Sequence, residues 1–521
     1  MSTSLSTRGT HHKGFILLAA CIVAVANPLA FTGPAVALPT IGRALEGSAV
    51  ELGWVTNAFM LTFGSCLMTA GSLADALGRR RIFLAGVGLL FAFSLGLSFA
   101  PNILVMGLLR AGQGIAAAAA FAGIMAALAQ EFHGPAGMRA FSLVGTSFGV
   151  GLAFGPISSG LLIETFGWRS IFALVAALAA LAYALGAAFV RESRDPEATG
   201  IDWKGGITFT AALALFTNAL LVAPEKGWLH AGMLACLAGG LVLLALFAAI
   251  EARAARPMLD LSLFRFPRFV AVQMLAAAPA YSFVVLLILL PVRLVGIDGM
   301  SAVQAGWIML ALCGPLLFLP LVAGSLTRWL APAALCGAGL VLVAAGLLWL
   351  SRWPGGEVNM ALVAPLVSIG IGISLPWGLM DGLAVSVVPR QRAGMATGIF
   401  NTTRVGGEGV ALAVVSAVLS ALVATQVGSD VPAASGRTGE VAQRFVAGDL
   451  ASVGSILGNP AQTAAIHSYN SAFSSLLVLL AGVTLLTAIL IFMALRGSAR
   501  EDDGRGADSS GKRNEPGIDA V

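Results

Sequence analysis

The sequence predicts an all-α polytopic membrane protein: two pseudo-symmetric six-helix bundles plus a two-helix insert, fourteen transmembrane helices in all. Three observations predict it. Of 521 residues, 58% are hydrophobic and 11% are charged, against about 25% charged in a soluble domain. The apolar residues form unbroken runs of membrane-crossing length, which excludes the alternating strands of an outer-membrane barrel. A stretch of the first half also recurs in the second at one fixed offset. No soluble interior can hide this much apolar surface. A soluble enzyme, a disordered chain and a nucleic-acid binder are therefore excluded.

A spanning helix needs about 20 apolar residues. Runs of that length lie near 15–38, 51–73, 82–100, 103–129, 140–163, 169–190, 205–223, 229–250, 269–292, 302–326, 332–351, 360–388, 394–425 and 471–496. Lys13 before the first run resembles the start of a signal peptide, but thirteen more runs follow and Pro28 and Pro34 interrupt it. Residues 1–12 and 497–521 are polar and read as disordered cytoplasmic tails. Residues 426–470, with Gly, Pro, Asp and Ser, read as a long loop. The domains expected are a bundle at 13–190, a linker and two-helix insert at 191–250, and a bundle at 251–496.

Orientation follows from lysine and arginine in the loops. With the amino terminus inside, 21 basic residues fall on inner segments and 7 on outer ones; Arg110 and Arg404 lie within runs. Both termini are therefore expected in the cytoplasm, as an even number of spans requires. The five cysteines (Cys21, Cys66, Cys236, Cys313 and Cys336) sit in apolar runs without metal-ligand spacing, and only His11 and His12 among the histidines adjoin. Neither a cofactor nor a metal is expected, and no cluster suited to catalysis is visible.

The repeat offset is 253 residues. GWVTNAFM at 53 answers GWIMLALC at 306; AGSL at 70 answers AGSL at 323; Arg139-Ala140 answers Arg392-Ala393; and Gly145 answers Gly398. Parallel repeats about an axis along the membrane normal build many transporter halves. The register pairs the second and fifth runs with the tenth and thirteenth. The seventh and eighth runs are left as an insertion.

Motifs sit on this frame. The loop after the second run reads GSLADALGRRR, residues 71–81, with Gly71, Asp75, Gly78, Arg79 and Arg80. LLRAGQGIAAA at 108–118 carries Arg110 and Gln113, and GLAFGPISSG at 151–160 carries Gly151, Gly155, Pro156 and Gly160. Glycines at this spacing permit close helix approach, and Pro156 removes a backbone donor. The loop resembles the signature loop of the major facilitator superfamily. The other two stretches resemble that superfamily's fourth-span motif and antiporter motif, and GWRSIF at 167–172 and WVTNAFML at 54–61 also fit. With fourteen spans, the chain looks like the fourteen-spanner drug:proton antiporter branch. The resemblance implies alternating access, with the loop bridging two helices across the bundle interface in the outward-facing state. One feature departs from it. The branch carries an Asp in its first span, and here LAFTGPAVALP at 29–39 places Ala30 there, with Ala35 at the usual Asn position.

Charges at membrane depth cost about 2.5–3.5 kcal/mol each on insertion scales, so they face the bundle interior and mark function. Asp381, Glu408 and Arg110 are the proton-coupling candidates. Arg404 and Glu408 share a helical face at i,i+4 and can instead neutralise each other. Asp381 follows Trp377, Pro376 and Gly378, a broken stretch suited to cation binding or reversible protonation. The substrate-cavity candidates are Phe31, Asn57, Gln113, Tyr281, Trp377, Asn401 and Arg404.

The expectation is a secondary active transporter of the plasma (inner) membrane. It would couple proton entry to efflux of a small organic molecule and work as a monomer in the bilayer, without nucleic acid. A proton symporter or uniporter of an organic anion, using Arg110 and Arg404, is the alternative within transport. A non-transporting membrane sensor is the alternative from another class.

Overall fold

The computed structural model describes residues 3–132, 134–194, 203–227, 229–253, 261–387 and 393–496. Among these, fourteen helical segments are long and apolar enough to cross a membrane. Numbered as spans 1 to 14, they are Lys13–Leu45, Val50–Leu77, Arg79–Ser98, Ile103–Glu131, Arg139–Phe166, Arg169–Phe189, Trp203–Ala223, Ala231–Arg253, Pro267–Gly296, Ala302–Leu326, Pro332–Leu350, Met360–Ala384, Thr402–Asp430 and Ala461–Leu495. All fourteen expected runs appear, with boundaries shifted by a few residues in most.

The repeat is visible in how helices begin. Span 2 opens on a capping box: Glu51 N donates to Ser48 Oγ at 3.3 Å while Ser48 N donates to Glu51 Oε2 at 2.8 Å. Span 10 opens the same way, with Gln304 N to Ser301 Oγ at 3.2 Å and Ser301 N to Gln304 Oε1 at 3.1 Å. Both pairs obey the 253-residue offset. Each box satisfies donors that a helix start otherwise leaves orphaned.

Spans 1–6 pack on one another, and so do spans 9–14. The two bundles meet chiefly where span 2 packs on span 13 and span 5 on span 10. The repeat equates span 2 with 10 and span 5 with 13, so each seam is the image of the other about the pseudo-dyad. Glycine makes both seams close. A Cβ on Gly64 would overlap the Gly406 backbone, and one on Gly306 would lie 2.6 Å from Ile157 Cα. The insert, spans 7 and 8, pairs with itself, and span 7 also lies against spans 2 and 13. Leu241 and Val242 of span 8 are exposed, as expected of a lipid-facing helix.

Three sequence expectations are corrected. Residues 426–470 are largely helical: the span 13 helix continues to Asp430, and helices Thr438–Val446 and Leu450–Leu457 follow. The first of these two helices buries Val441, Ala442 and Phe445 and exposes Glu440, with Arg437 exposed just before it. Asp449 caps the second by accepting from Ser452 N at 3.1 Å. Span 14 starts about ten residues early because its polar residues find partners. Ser468 Oγ donates to Asp430 Oδ2 at 2.9 Å, and Asn470 Oδ1 accepts from Arg293 at 2.8 Å. The first helix begins at Thr3, so residues 3–12 are helical and not an unstructured tail. Residues 497–521 lie outside the described ones.

Candidate functional site

Two ends of the molecule can be distinguished: the motif end, which carries GSLADALGRRR, and the far end, which carries the helix Thr438–Val446. At the motif end the chain turns at Gly78, whose φ of 119° only glycine adopts readily. Arg79 donates from Nε and Nη2 to Asp75 Oδ1 at 3.0 and 2.9 Å, and from Nη1 to Gln130 of span 4 at 3.0 Å. Arg80 donates to Ala187 O of span 6 at 2.8 Å. Gly71 has open space around its Cα. The described partners of this loop lie in the first bundle or in the linker just after it, where Arg79 N donates to Ser193 O at 2.8 Å and Arg81 Nε lies 3.4 Å from Glu192 Oε2.

Arg110 is fully buried. Its Nε donates to Val55 O of span 2 at 2.8 Å and its Nη1 to Ala30 O of span 1 at 2.7 Å. Gln113 accepts from the same Nη1 and donates to Ser94 Oγ of span 3 at 2.8 Å. The guanidinium lies 4.7 Å from the Phe59 ring centre. Arg110 and Gln113 together thus tie spans 1, 2, 3 and 4 to one another. Its Nη2 has no hydrogen-bond partner. Phe31 is buried in the core.

The stretch 151–160 divides its small residues between two partners. A Cβ on Gly151 would meet Val25 O of span 1 at 2.7 Å, and one on Gly155 would overlap Thr32 Oγ1. A Cβ on Gly160 would overlap the Ala302 carbonyl of span 10, beside which Pro156 O faces Gly306. Span 5 therefore holds span 1 and span 10 at once. At the offset of 253, Gly151 and Gly155 correspond to Arg404 and Glu408 in span 13.

Arg404 lies over two rings, 5.8 Å from the Trp377 centre and 5.6 Å from that of Phe400. Phe283 meets Trp377 edge-on at 6.2 Å. Glu408 is buried and makes no ion pair among the described residues, so the i,i+4 pair with Arg404 does not form as a contact. Span 12 is interrupted beside Trp377: one helix ends there and another starts at Met380. Asp381 follows that break, and its side chain, like that of Asn401, lies outside the described ones. Span 9, packed against span 13, contains a π-turn at Ala280–Val284. Such turns are frequent at functional sites. Tyr281 on this turn donates to Thr487 Oγ1 of span 14 at 2.7 Å. Asn57 stands apart, near the far end.

Sequence reasoning missed two groups. Asn27 of span 1 and Gln273 of span 9 are buried with both amide atoms unpartnered. A lone amide in an apolar run was the available signal. Arg293, counted as a loop cation, is buried with Asp298 at 3.5 Å and lies 4.5 Å from the ring centres of both Trp353 and Phe473. Burial pushes the Asp298 carboxyl above its ordinary range against the opposing pull of Arg293. Nothing in the sequence marked this cluster.

A family model described as Major Facilitator Superfamily matches residues 20–412. The chain is 30% identical over 387 residues to the multidrug resistance protein Stp of Mycobacterium tuberculosis, covering 74% of this chain and 72% of that one. It is 27% identical over 502 residues to the multidrug efflux pump LfrA of Mycolicibacterium smegmatis, covering 95% and 98%. It is 28% identical to a tetracenomycin C resistance and export protein of Streptomyces glaucescens, covering 80% and 77%. A bacterial homologue of the human lysosomal transporter Spinster, solved inward-facing and unoccupied, shares the fold with TM-score 0.64 at 16% identity, over 93% of this chain and 97% of that one.

Proposed function

Since the chain belongs to the Major Facilitator Superfamily, we propose that it is a secondary transporter that expels small drug-like molecules in exchange for protons. The relatives named for multidrug resistance, efflux and export support the efflux part. Glu408 carries the coupling part. It is a buried carboxyl at membrane depth, without an ion pair among the described residues, on the helix that forms a seam between the bundles. A group so placed can take up and release a proton as the seam opens to either side. Asp381 is the second acceptor in this reading. Arg110 holds spans 1, 2 and 4 in the geometry on which the first bundle moves as a unit.

The excess of Lys and Arg on one set of loops supports a reading with both termini and the GSLADALGRRR loop in the cytoplasm and the chain in the plasma (inner) membrane. The closures made by Gly160 on Ala302 and by Gly306 on Ile157 then lie toward the outside. These close contacts support reading this state as a carrier closed outside. The two halves rock as rigid bodies, and a monomer suffices.

The test is transport by the purified protein in proteoliposomes with an imposed pH gradient and a panel of drug-like molecules that includes tetracenomycin C. Accumulation that follows the gradient and collapses with a protonophore supports the reading. Transport indifferent to the gradient overturns proton coupling, and absence of transport across the panel overturns drug efflux.

A further inference from the structure

The two seams between the bundles are images of each other, yet only one of them is covered on its outer side. Span 7 of the insert runs along the span 2–13 seam. A Cβ on Gly53 would meet Leu221 at 3.0 Å near the far end, and one on Gly206 would meet Thr69 Oγ1 at 2.7 Å toward the motif end. Between them Leu220 packs with Ala413 and Ala417 of span 13. Among the described residues no helix backs the span 5–10 seam in this way. Positions related by the 253-residue offset show the result. Ser65 of span 2 is 1% exposed, and its counterpart Phe318 of span 10 is 70% exposed. Met68 packs against the cluster of Leu263, Phe269 and Ile399, and its counterpart Leu321 is 62% exposed.

The uncovered seam also widens toward the motif end. Gly145, Gly149, Pro156, Gly160 and Glu164 recur along span 5 at spacings of four and seven, one stripe of a helix. Near the far end the contacts of Gly160 and Ile157 with span 10 close the seam. About 16 Å further along the helix, a Cβ on Gly149 would stand 3.6 Å from Leu316 O, and one on Gly145 would meet nothing within 4 Å. Span 10 supplies the cause. Its helix stops at Cys313, a 3-10 turn takes Gly314–Leu317, and a new helix runs Leu319–Leu326, with Pro315 and Pro320 in the first turns of these two pieces. Proline lacks the N–H that would continue the ladder. The pieces up to Leu317 pack on span 5, whereas Leu319–Leu326 turns to span 12. Phe141 and Leu143 of span 5 and Phe318, Leu321 and Val322 of span 10 are exposed at this level, with no charge among them. On the inner side a Cβ on Gly378 would stand 2.5 Å from Pro320 O, and Gly378 adjoins Trp377, the ring beneath Arg404.

We propose that this gap is a lateral entrance through which a substrate dissolved in the leaflet at the motif end passes between spans 5 and 10 to the Trp377 region. Its occupant is the transported molecule itself, one whose apolar body partitions into lipid. Such a body passes from acyl chains to Phe318, Leu321 and Trp377 without being rehydrated, so the free energy gained by leaving water is kept throughout. The insert closes the equivalent route along the span 2–13 seam, which makes entry one-sided. This inference rests on the efflux reading and adds to it the route and the physical class of the substrate.

The experiment has two arms. The full-length protein in nanodiscs is photolabelled with phosphatidylcholine carrying a diazirine in one acyl chain, and the adducts are mapped by mass spectrometry. Labelling of residues 145–149 of span 5 should exceed that of residues 65–69 of span 2 at least fivefold. In proteoliposomes, transport is measured for a drug panel graded by octanol–water partition. Gly145→Trp fills the gap from a position with open space. It should cut transport of the most lipid-soluble members at least fivefold and leave the most water-soluble ones within twofold of wild type. Equal labelling of the two segments, an equal loss across the panel, or no loss for the lipid-soluble members overturns the entrance. A wild type that transports no member of the panel counts against efflux itself. In that case, or if Gly145→Trp fails to fold, the labelling decides whether the gap admits molecules from the bilayer.

Discussion

Gly64 of span 2 and Gly406 of span 13 meet backbone to backbone, with no room for a Cβ on Gly64. Backbone cannot retreat as the tip of a side chain can, so a substitution of Gly64 pushes the two bundles apart. Gly64→Ala should reduce transport at least tenfold while the protein remains folded and membrane-inserted. Gly107→Ala, at a glycine with nothing within 4 Å, should leave transport at the wild-type rate. Efflux assays on matched amounts of protein check both.

The pseudo-symmetric counterpart of Gly155 is Glu408. In the first half that position is glycine because span 1 approaches closely; in the second it carries a buried carboxyl without an ion pair. Glu408→Gln keeps the shape and removes the titration. Gradient-driven accumulation should be abolished, while exchange of labelled for unlabelled substrate across the same vesicles should continue. Loss of both activities would instead assign Glu408 to substrate binding or folding.

The two capping boxes are equivalent devices in the two halves. Ser48→Ala and Ser301→Ala should each lower stability by about 1 kcal/mol, the usual worth of such a cap. The two losses should match closely. Thermal unfolding in detergent measures them, and a large difference would mean that the halves are not built alike at this end.

Asp298 gives a pH dependence outside the spans. Burial raises the affinity of its carboxyl for a proton in the folded state. Its contribution to stability is therefore complete below the ordinary aspartate range, near pH 4, and is lost as pH climbs through that range and above it. The stability of the wild type relative to Asp298→Asn should fall over that interval and then level. Asp298→Asn keeps the neutral shape at every pH, so its own unfolding midpoint should lack that fall. Unfolding midpoints from pH 3.5 to 7 check both statements.

Span number, order and pairing were legible in the sequence because a bilayer demands long apolar runs and a duplicated half repeats its Trp, Gly and Arg in register. The reciprocal seams, span 2 on 13 and span 5 on 10, follow from that register once contacts are known. The helices Thr438–Val446 and Leu450–Leu457 were not legible, because short amphipathic helices over a bundle end look like loop to a window tuned for lipid. The Arg293–Asp298 cluster was hidden for a related reason. Its partners, Trp353 on one segment and Tyr469, Asn470 and Phe473 on another, are far from Arg293 in sequence, and their convergence exists only in the fold. Glu408 was legible as a buried charge. Its lack of an ion pair was not, since i,i+4 spacing with Arg404 suggested mutual neutralisation while the guanidinium lies over Trp377 and Phe400.

Alternating access requires the span 5–10 seam at the far end to part and re-form in each transport cycle. Val303 N donates to Glu164 Oε1 across that seam at 3.2 Å. The direct test replaces Glu164 and Val303 with cysteine in a protein whose five native cysteines are removed, and joins the pair with a short thiosulfonate cross-linker. The cross-linked protein should bind substrate yet not transport it, and reduction should restore transport. Full transport by the cross-linked protein would contradict it.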